Sequence, residues 1–173
     1  QAAYLKQHKG AEWPPKAAHD IAAECGLLPM TLSIASQVVR SWGDGWEESV
    51  LPLLKQQHSN KPSAGGSGAA LSTVEARIIG AGLKALKGED ADAIEELFGV
   101  FAVTQEDCVH LMPVIELLWR SCCASDSSSG DDLGMRLKVR QWTQMLVDHS
   151  LLLGSFTKGV HVHDIVLTYL RNT

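Results

Sequence analysis

The sequence predicts a mainly α-helical protein in two parts, a small helical bundle followed by a helical domain that carries one short β-hairpin. Three observations predict it. Apolar residues recur at helical spacing through most of the chain, the periodicity that lays one face of a helix on a core. A tract of small residues, "HSNKPSAGGSGAA" at 58–70, interrupts that pattern and is too small-sided to bury anything, so it reads as a linker between a bundle at 1–57 and a second domain at 71–173. Near the C-terminus "LLLGSF" and "GVHVH" flank Gly159, which is the pattern of a hairpin.

The elements follow in order. "PPKAAHDIAAECG" opens with prolines suited to a helix start, spaces Ala17, Ile21 and Ala22 helically, and closes on Gly26. Pro29 restarts the chain. "PMTLSIASQVVRSWG" then puts Leu32, Ile34 or Ala35, Val38 and Val39 on one face up to Gly43, and "GWEESVLPLLKQQ" does the same with Trp46, Val50, Leu53 and Leu54. Three or four short antiparallel helices of this kind form a small bundle. After the linker, Ser72 and Glu75 stand in capping-box relation before a helix that turns Val74, Ile78 and Leu86 to one side. Ile94, Leu97, Phe98 and Phe101 at i, i+3, i+4, i+7 make the cleanest amphipathic signal in the chain. Pro113 would cost about 3 kcal/mol in mid-helix and almost nothing at a first turn, so a helix starts near it and "EDCVHLM" before it is a short strand or extended passage. "ASDSSSGDDLG" reads as a polar surface loop, and "MRLKVRQWTQMLVDHS" as a helix with Leu137, Gln141 or Trp142, Met145 and Leu146 on its stripe. A last helix carries Ile165, Val166, Tyr169 and Leu170. Helix, strand, helix, helix, hairpin is the order of a winged helix, with the hairpin as its wing.

Composition narrows the function. The chain of 173 residues is 45% hydrophobic and 20% charged, the make-up of an ordinary globular protein with a sizeable core. A formal net charge of −5 argues against an unaided grip on nucleic-acid phosphates or anionic lipid. No run of 18 apolar residues occurs, and "QAAYLKQHKG" lacks the basic-then-apolar order of a signal peptide, so a cytoplasmic location is expected. Cys25, Cys108, Cys122 and Cys123 are too few and too irregular for a disulfide framework and read as reduced thiols.

The stretch His161-Val162-His163-Asp164 admits several readings. With Cys108 and His110 it could supply four zinc ligands, but spacing of two is also what strand alternation produces. On the structural reading Val160 and Val162 share one face, His161 and His163 share the other, and Asp164 caps the helix that follows. An enzyme built on His161, His163 and Asp164 has no nucleophile elbow, no paired-carboxylate site and no metal motif in its support.

Four pieces in one order carry a resemblance. "CGLLPMTL", Cys25 to Leu32, is similar to the "C-G-G-L-P-L-A-L" motif of the NB-ARC module, with Leu27 in place of the second glycine. Residues 83–119, ending at Trp119, resemble that family's winged-helix opening, in which a Phe-rich helix leads to "E-D-x-V" and "L-x-x-L-W". "MLVDHSLLLG" resembles "L-x-x-x-S-L-L", and "VHVHDIVLTYLR" resembles "V-x-M-H-D-L-V-x-x-L-A", with Val162 for the usual methionine. From about Lys16 to Arg171 the chain therefore looks like the C-terminal half of an NB-ARC switch, the regulatory core of STAND-class signalling proteins such as plant disease-resistance receptors and apoptosome-type factors.

The resemblance implies a role for three residues: Leu28 and Pro29 near the adenine of a bound ADP or ATP, and His163 on the β-phosphate of ADP, latching a closed state. It also implies an upstream P-loop domain, a downstream repeat sensor and oligomerisation on activation. The sequence contains no G-x-x-x-x-G-K-[ST], so the nucleotide domain is expected before Gln1 and the chain by itself is expected to be non-catalytic. The alternative reading is a DNA-binding winged-helix regulator with Arg136, Lys138 and Arg140 on its reading helix, although Asp131, Asp132 and Asp148 flank those cations and no specific nucleic acid is expected.

Overall fold

Pro15 sets the entry into the first helix. In the computed structural model, which describes residues 14–56, 73–86, 88–123 and 132–172, helix α1 runs Lys16–Glu24 behind the extended backbone of Pro15 (φ −62°, ψ 151°). It closes in a Schellman turn, with Leu27 N–H donating to Ala22 O at 3.2 Å and Gly26 N–H to Ala23 O at 3.0 Å, and Gly26 takes the left-handed φ of 64° that this turn demands. Helix α2 (Pro29–Trp42) starts on its proline and stops at Gly43, and α3 (Trp46–Gln56) follows. Ile21, Ile34, Ala35, Val38, Val50 and Leu54 are buried between the three, as the periodicity requires. The expected linker at 58–70 lies outside the described residues, as does most of the polar loop after Cys123.

Helix α4 (Val74–Ala85) is the most buried element. Its cap is Thr73, whose hydroxyl accepts Ala76 N–H at 3.2 Å, one residue later than the Ser72 of the expected capping box. Arg77, Ile78, Ile79, Ala81, Gly82, Leu83 and Ala85 are all buried, so nearly the whole circumference of its second half is covered. Its principal partner is α2, and it also touches α3 and the C-terminal helix. Gly82 makes the α2 contact close: a Cβ there would lie 2.7 Å from Ile34 Cγ2 and 3.5 Å from Leu151 Cδ2. Arg77 forms an ion pair with Glu24 of α1. A buried guanidinium is tolerated only when so paired.

The remaining elements are α5 (Ala91–Val100), a 3-10 turn at Phe101–Val103, α6 (Met112–Cys122), α7 (Asp132–Asp148), strands β1 (Leu153–Ser155) and β2 (Gly159–His161), and α8 (Asp164–Asn172). Ile94, Leu97, Phe98 and Phe101 are buried, as their spacing predicts. β1 and β2 pair antiparallel with Leu153 opposite His161, and the register needs Gly154, since a Cβ there would meet Gly159 O at 2.2 Å. The extended passage before Pro113 joins them: His110 N–H donates to Val160 O at 2.7 Å and Val160 N–H to His110 O at 2.9 Å. Bundle, bridge, helices and hairpin together give the mainly α fold with a short wing that the sequence predicts.

One stripe differs from expectation. On α7 the buried residues are Val139, Trp142, Thr143 and Leu146, whereas Leu137 is 52% exposed. Two contacts set this roll of the helix. Trp142 packs edge-on to Trp119 of α6 with ring centroids 5.3 Å apart, and Arg136 and Arg140 both reach Glu116 of α6.

Among the described residues, the buried apolar side chains of both parts belong to one contiguous core. Gly82→Ala tests the contact at its centre. Alanine gains about 1 kcal/mol of helix propensity, but its methyl must displace a fully buried β-branched side chain, and overpacking costs about 1–3 kcal/mol. Urea unfolding is expected to show a net loss of up to about 2 kcal/mol.

Candidate functional site

The His-Asp corner is built by the start of α8. His163 lies two residues beyond β2, and its carbonyl accepts Leu167 N–H at 2.9 Å, which makes it the N-cap of α8 and Asp164 the first helical residue. Its Nδ1 accepts Ile165 N–H at 3.3 Å, and Asp164 Oδ1 accepts the same N–H at 2.7 Å. The imidazole and the carboxylate also touch each other. The capping role expected of Asp164 is thus shared with His163. With Nδ1 used as an acceptor, a neutral ring carries its proton on Nε2 and can donate it elsewhere. The side chain is 38% exposed, so it is reachable. His161 is half-buried on the same side, while Val160 and Val162 are buried beneath, as alternation predicts.

The Cys-Gly-Leu-Leu-Pro turn is built differently. Gly26 and Leu27 are consecutive left-handed residues, with φ of 64° and 58°. Leu28 is extended and caps α2, and Pro29 occupies its first turn. Thr31, fully buried, directs its hydroxyl at two carbonyls of the turn, Cys25 O at 2.7 Å and Leu28 O at 2.9 Å. Cys25 is buried core: burial first, then the neighbouring Glu24 carboxylate, push its thiol up to about 11. Leu27 is 70% exposed and Leu28 38%, so the turn offers an apolar edge.

The Gly26 turn and helix α8 both adjoin the first turn of α4. Gly26 faces Val74, with 3.6 Å from its built Cβ to Val74 Cγ1, and on the other side Thr73, Glu75 and Ala76 share a cleft of about 200 Å³ with Ile165, Thr168, Tyr169 and Asn172 of α8.

The other candidate residues do not assemble. Among the described residues no three His, Cys, Asp or Glu side chains converge as a metal site. His110 lies edge-on to Phe101 with ring centroids 6.1 Å apart, its Nε2 is buried without a partner, and burial holds its pKa below the ordinary histidine value. The cations of α7 are committed within the fold. Arg136 Nε and Arg140 Nε each donate to buried Glu116 at 2.8 Å, and Lys138 Nζ lies 3.9 Å from Asp90. Burial pushes the Glu116 carboxyl up, but the hydrogen bonds from Arg140 and Arg136 and their charges outweigh it and hold it below the usual range. Its contribution to stability is therefore whole above the unfolded carboxyl value and declines in acid, as pH falls through the lower folded one. No helix among the described residues is long and apolar enough to cross a membrane. Comparison of the chain with protein-family models, with curated proteins and with solved structures finds no match.

Glu116 and His149 were not singled out by sequence reasoning. Their burial depends on which helices meet, and no local signal carries that.

Leu27 gives the site a stability test. An L-residue in the left-handed region costs roughly 1–2 kcal/mol, and glycine costs about 0.5–1 kcal/mol in unfolded-chain entropy. Because the side chain is largely exposed, little burial is lost. Leu27→Gly is expected to raise the urea midpoint, by up to about 1 kcal/mol in stability, and Leu27→Val to lower it.

Proposed function

We propose that this chain is the regulatory half of an NB-ARC-type nucleotide switch, acting with a P-loop domain in the same protein to hold ADP and to couple nucleotide state to opening and signalling. The observation that carries the reading is that the Gly26 turn and the helix that follows His163, far apart in sequence, both adjoin the first turn of α4. A second feature agrees with it. Leu27, the residue at which the chain departs from the family's glycine, holds a left-handed φ of 58°, the conformation in which glycine is unstrained.

The residues fit the nucleotide by chemistry. Leu28 and Pro29, beside exposed Leu27, offer an apolar edge to a purine. His163 offers an Nε2 donor to an anionic phosphate oxygen. Partners on this reading are the upstream nucleotide domain and a downstream repeat sensor. A DNA-reading role is disfavoured by the commitment of Arg136 and Arg140 to Glu116, since direct readout needs free guanidinium forks.

The test is ADP release from the protein that contains the nucleotide domain. One charge-assisted hydrogen bond is worth roughly 1.5–3 kcal/mol, and 1.4 kcal/mol is tenfold in affinity, so His163→Ala is expected to speed ADP dissociation about tenfold or more. His161→Ala should leave it unchanged. ADP release that is insensitive to His163→Ala, or equally sensitive to both changes, would contradict the latch.

A further inference from the structure

The two parts of the molecule meet along a seam of two kinds. Deep in the fold it is apolar, with Ile34 of α2 against Gly82 and Leu151. Farther along α2 it turns polar. Gln37, Arg40 and Ser41, which share one face of α2, line a cleft of about 500 Å³ with Val147, Asp148 and His149 at the C-terminal end of α7. Where the two kinds of seam meet, Ser33 Oγ donates to Ser150 Oγ at 2.9 Å, and Ser150 holds a left-handed φ of 58°.

His149 sits in the polar part with its Nδ1 buried and without a hydrogen-bond partner. A neutral imidazole tolerates this, because the proton resides on Nε2 and Nδ1 is only a lone pair. A protonated ring does not, since its second N–H would be a buried donor with no acceptor. The charges facing it do not offset that cost. From α2, Arg40 lines the same cleft, Gln37 is neutral and Ser41 Oγ is committed to Val38 O at 2.8 Å, so no anion faces the ring from that helix. From α7 comes Asp148, exposed and bonded through Oδ1 to Gln144 Nε2 at 2.6 Å.

We propose that His149 is a proton-sensitive pin between the bundle and the winged helix: protonating its ring loosens α2 from the C-terminal end of α7 and opens the polar seam ahead of the apolar one. This goes beyond the nucleotide reading and does not depend on it. Burial holds the His149 pKa below the ordinary histidine value, with Asp148 pulling the other way. A base whose folded pKa is depressed lends stability that is whole above the unfolded value and declines as pH falls through the folded value. The pin therefore holds at neutral pH and releases in mild acid.

Two measurements test it. In an NMR titration the His149 ring protons are expected to titrate below the ordinary histidine value of about 6.5. Between about pH 7.5 and about pH 5.5, a range in which histidine is the side chain that ordinarily titrates, amide exchange over 37–41 and 147–149, corrected for its intrinsic pH dependence, should rise severalfold while the amides around Ile34 and those of α5 stay protected. His149→Gln should abolish that rise. His110→Gln, which removes the other histidine of depressed pKa among the described residues, should leave it intact. The proposal is overturned if His149 titrates at or above the ordinary value, if His149→Gln keeps the pH response, or if His110→Gln removes it. Should His149→Gln fail to fold, the titration of the unaltered chain still decides.

Discussion

The contact between α2 and α4 at Gly82 is the constraint on which the rest of the structure depends. Because residue 82 has no side chain, Ile34 can come within a methyl's width of the α4 backbone, and Leu151 closes over the same spot from the turn that leads into β1. Three segments far apart in sequence thus share one point of packing. Interiors are close-packed, so a displacement here is felt along both helices. α4 accordingly serves both parts: its flank toward α2 completes the bundle, and its contact with α8 supports the helix that carries His163.

Charge is distributed around that core in two ways. Where a buried charge has a partner it ties elements together, as Arg77 ties α4 to Glu24 of α1 and Glu116 ties α6 to two turns of α7. Such pairs contribute less net stability than their Coulomb energy suggests, because desolvation opposes it, but losing one partner is costly. Where a buried histidine nitrogen has no partner the fold restricts protonation instead. His110 beside the wing and His149 beside α2 both have orphaned ring nitrogens and depressed pKa values. His163 differs from both, being half-exposed, with Nδ1 engaged by a backbone N–H and Nε2 available.

What could be read from the sequence was local. Ile94, Leu97, Phe98 and Phe101 announce their helix because its core face is written at 3.6-residue spacing; Pro29 and Pro113 mark starts because a fixed φ and a missing N–H suit a first turn, and Gly43 marks a stop because it takes a positive φ of 65° that other residues resist. The hairpin around Gly159 and the alternation through Val160 and Val162 were legible for the same reason. Errors began where neighbouring residues were chemically equivalent or where a distant helix decides. Ser72 and Thr73 are both good caps, and the structure uses Thr73. Leu137 lies exposed because Trp142 and Glu116 set the roll of α7, a choice made by α6. Of the candidate site, His163 and the Leu28-Pro29 turn came from motif resemblance; that the neighbouring Gly26 and helix α8 both adjoin the first turn of α4 is a tertiary fact no spacing encodes.

The central claim is that bundle and winged helix form one core through α4, and with it one unit of unfolding. Residue-resolved native-state hydrogen exchange tests it most directly. The slowest amides of α2 around Ile34, of α4 around Ile79 and of α5 around Phe98, all fully buried, are expected to share a single opening free energy equal to that of global unfolding. Two distinct plateaus, with α2 and α4 opening together while α5 stays closed, would contradict it.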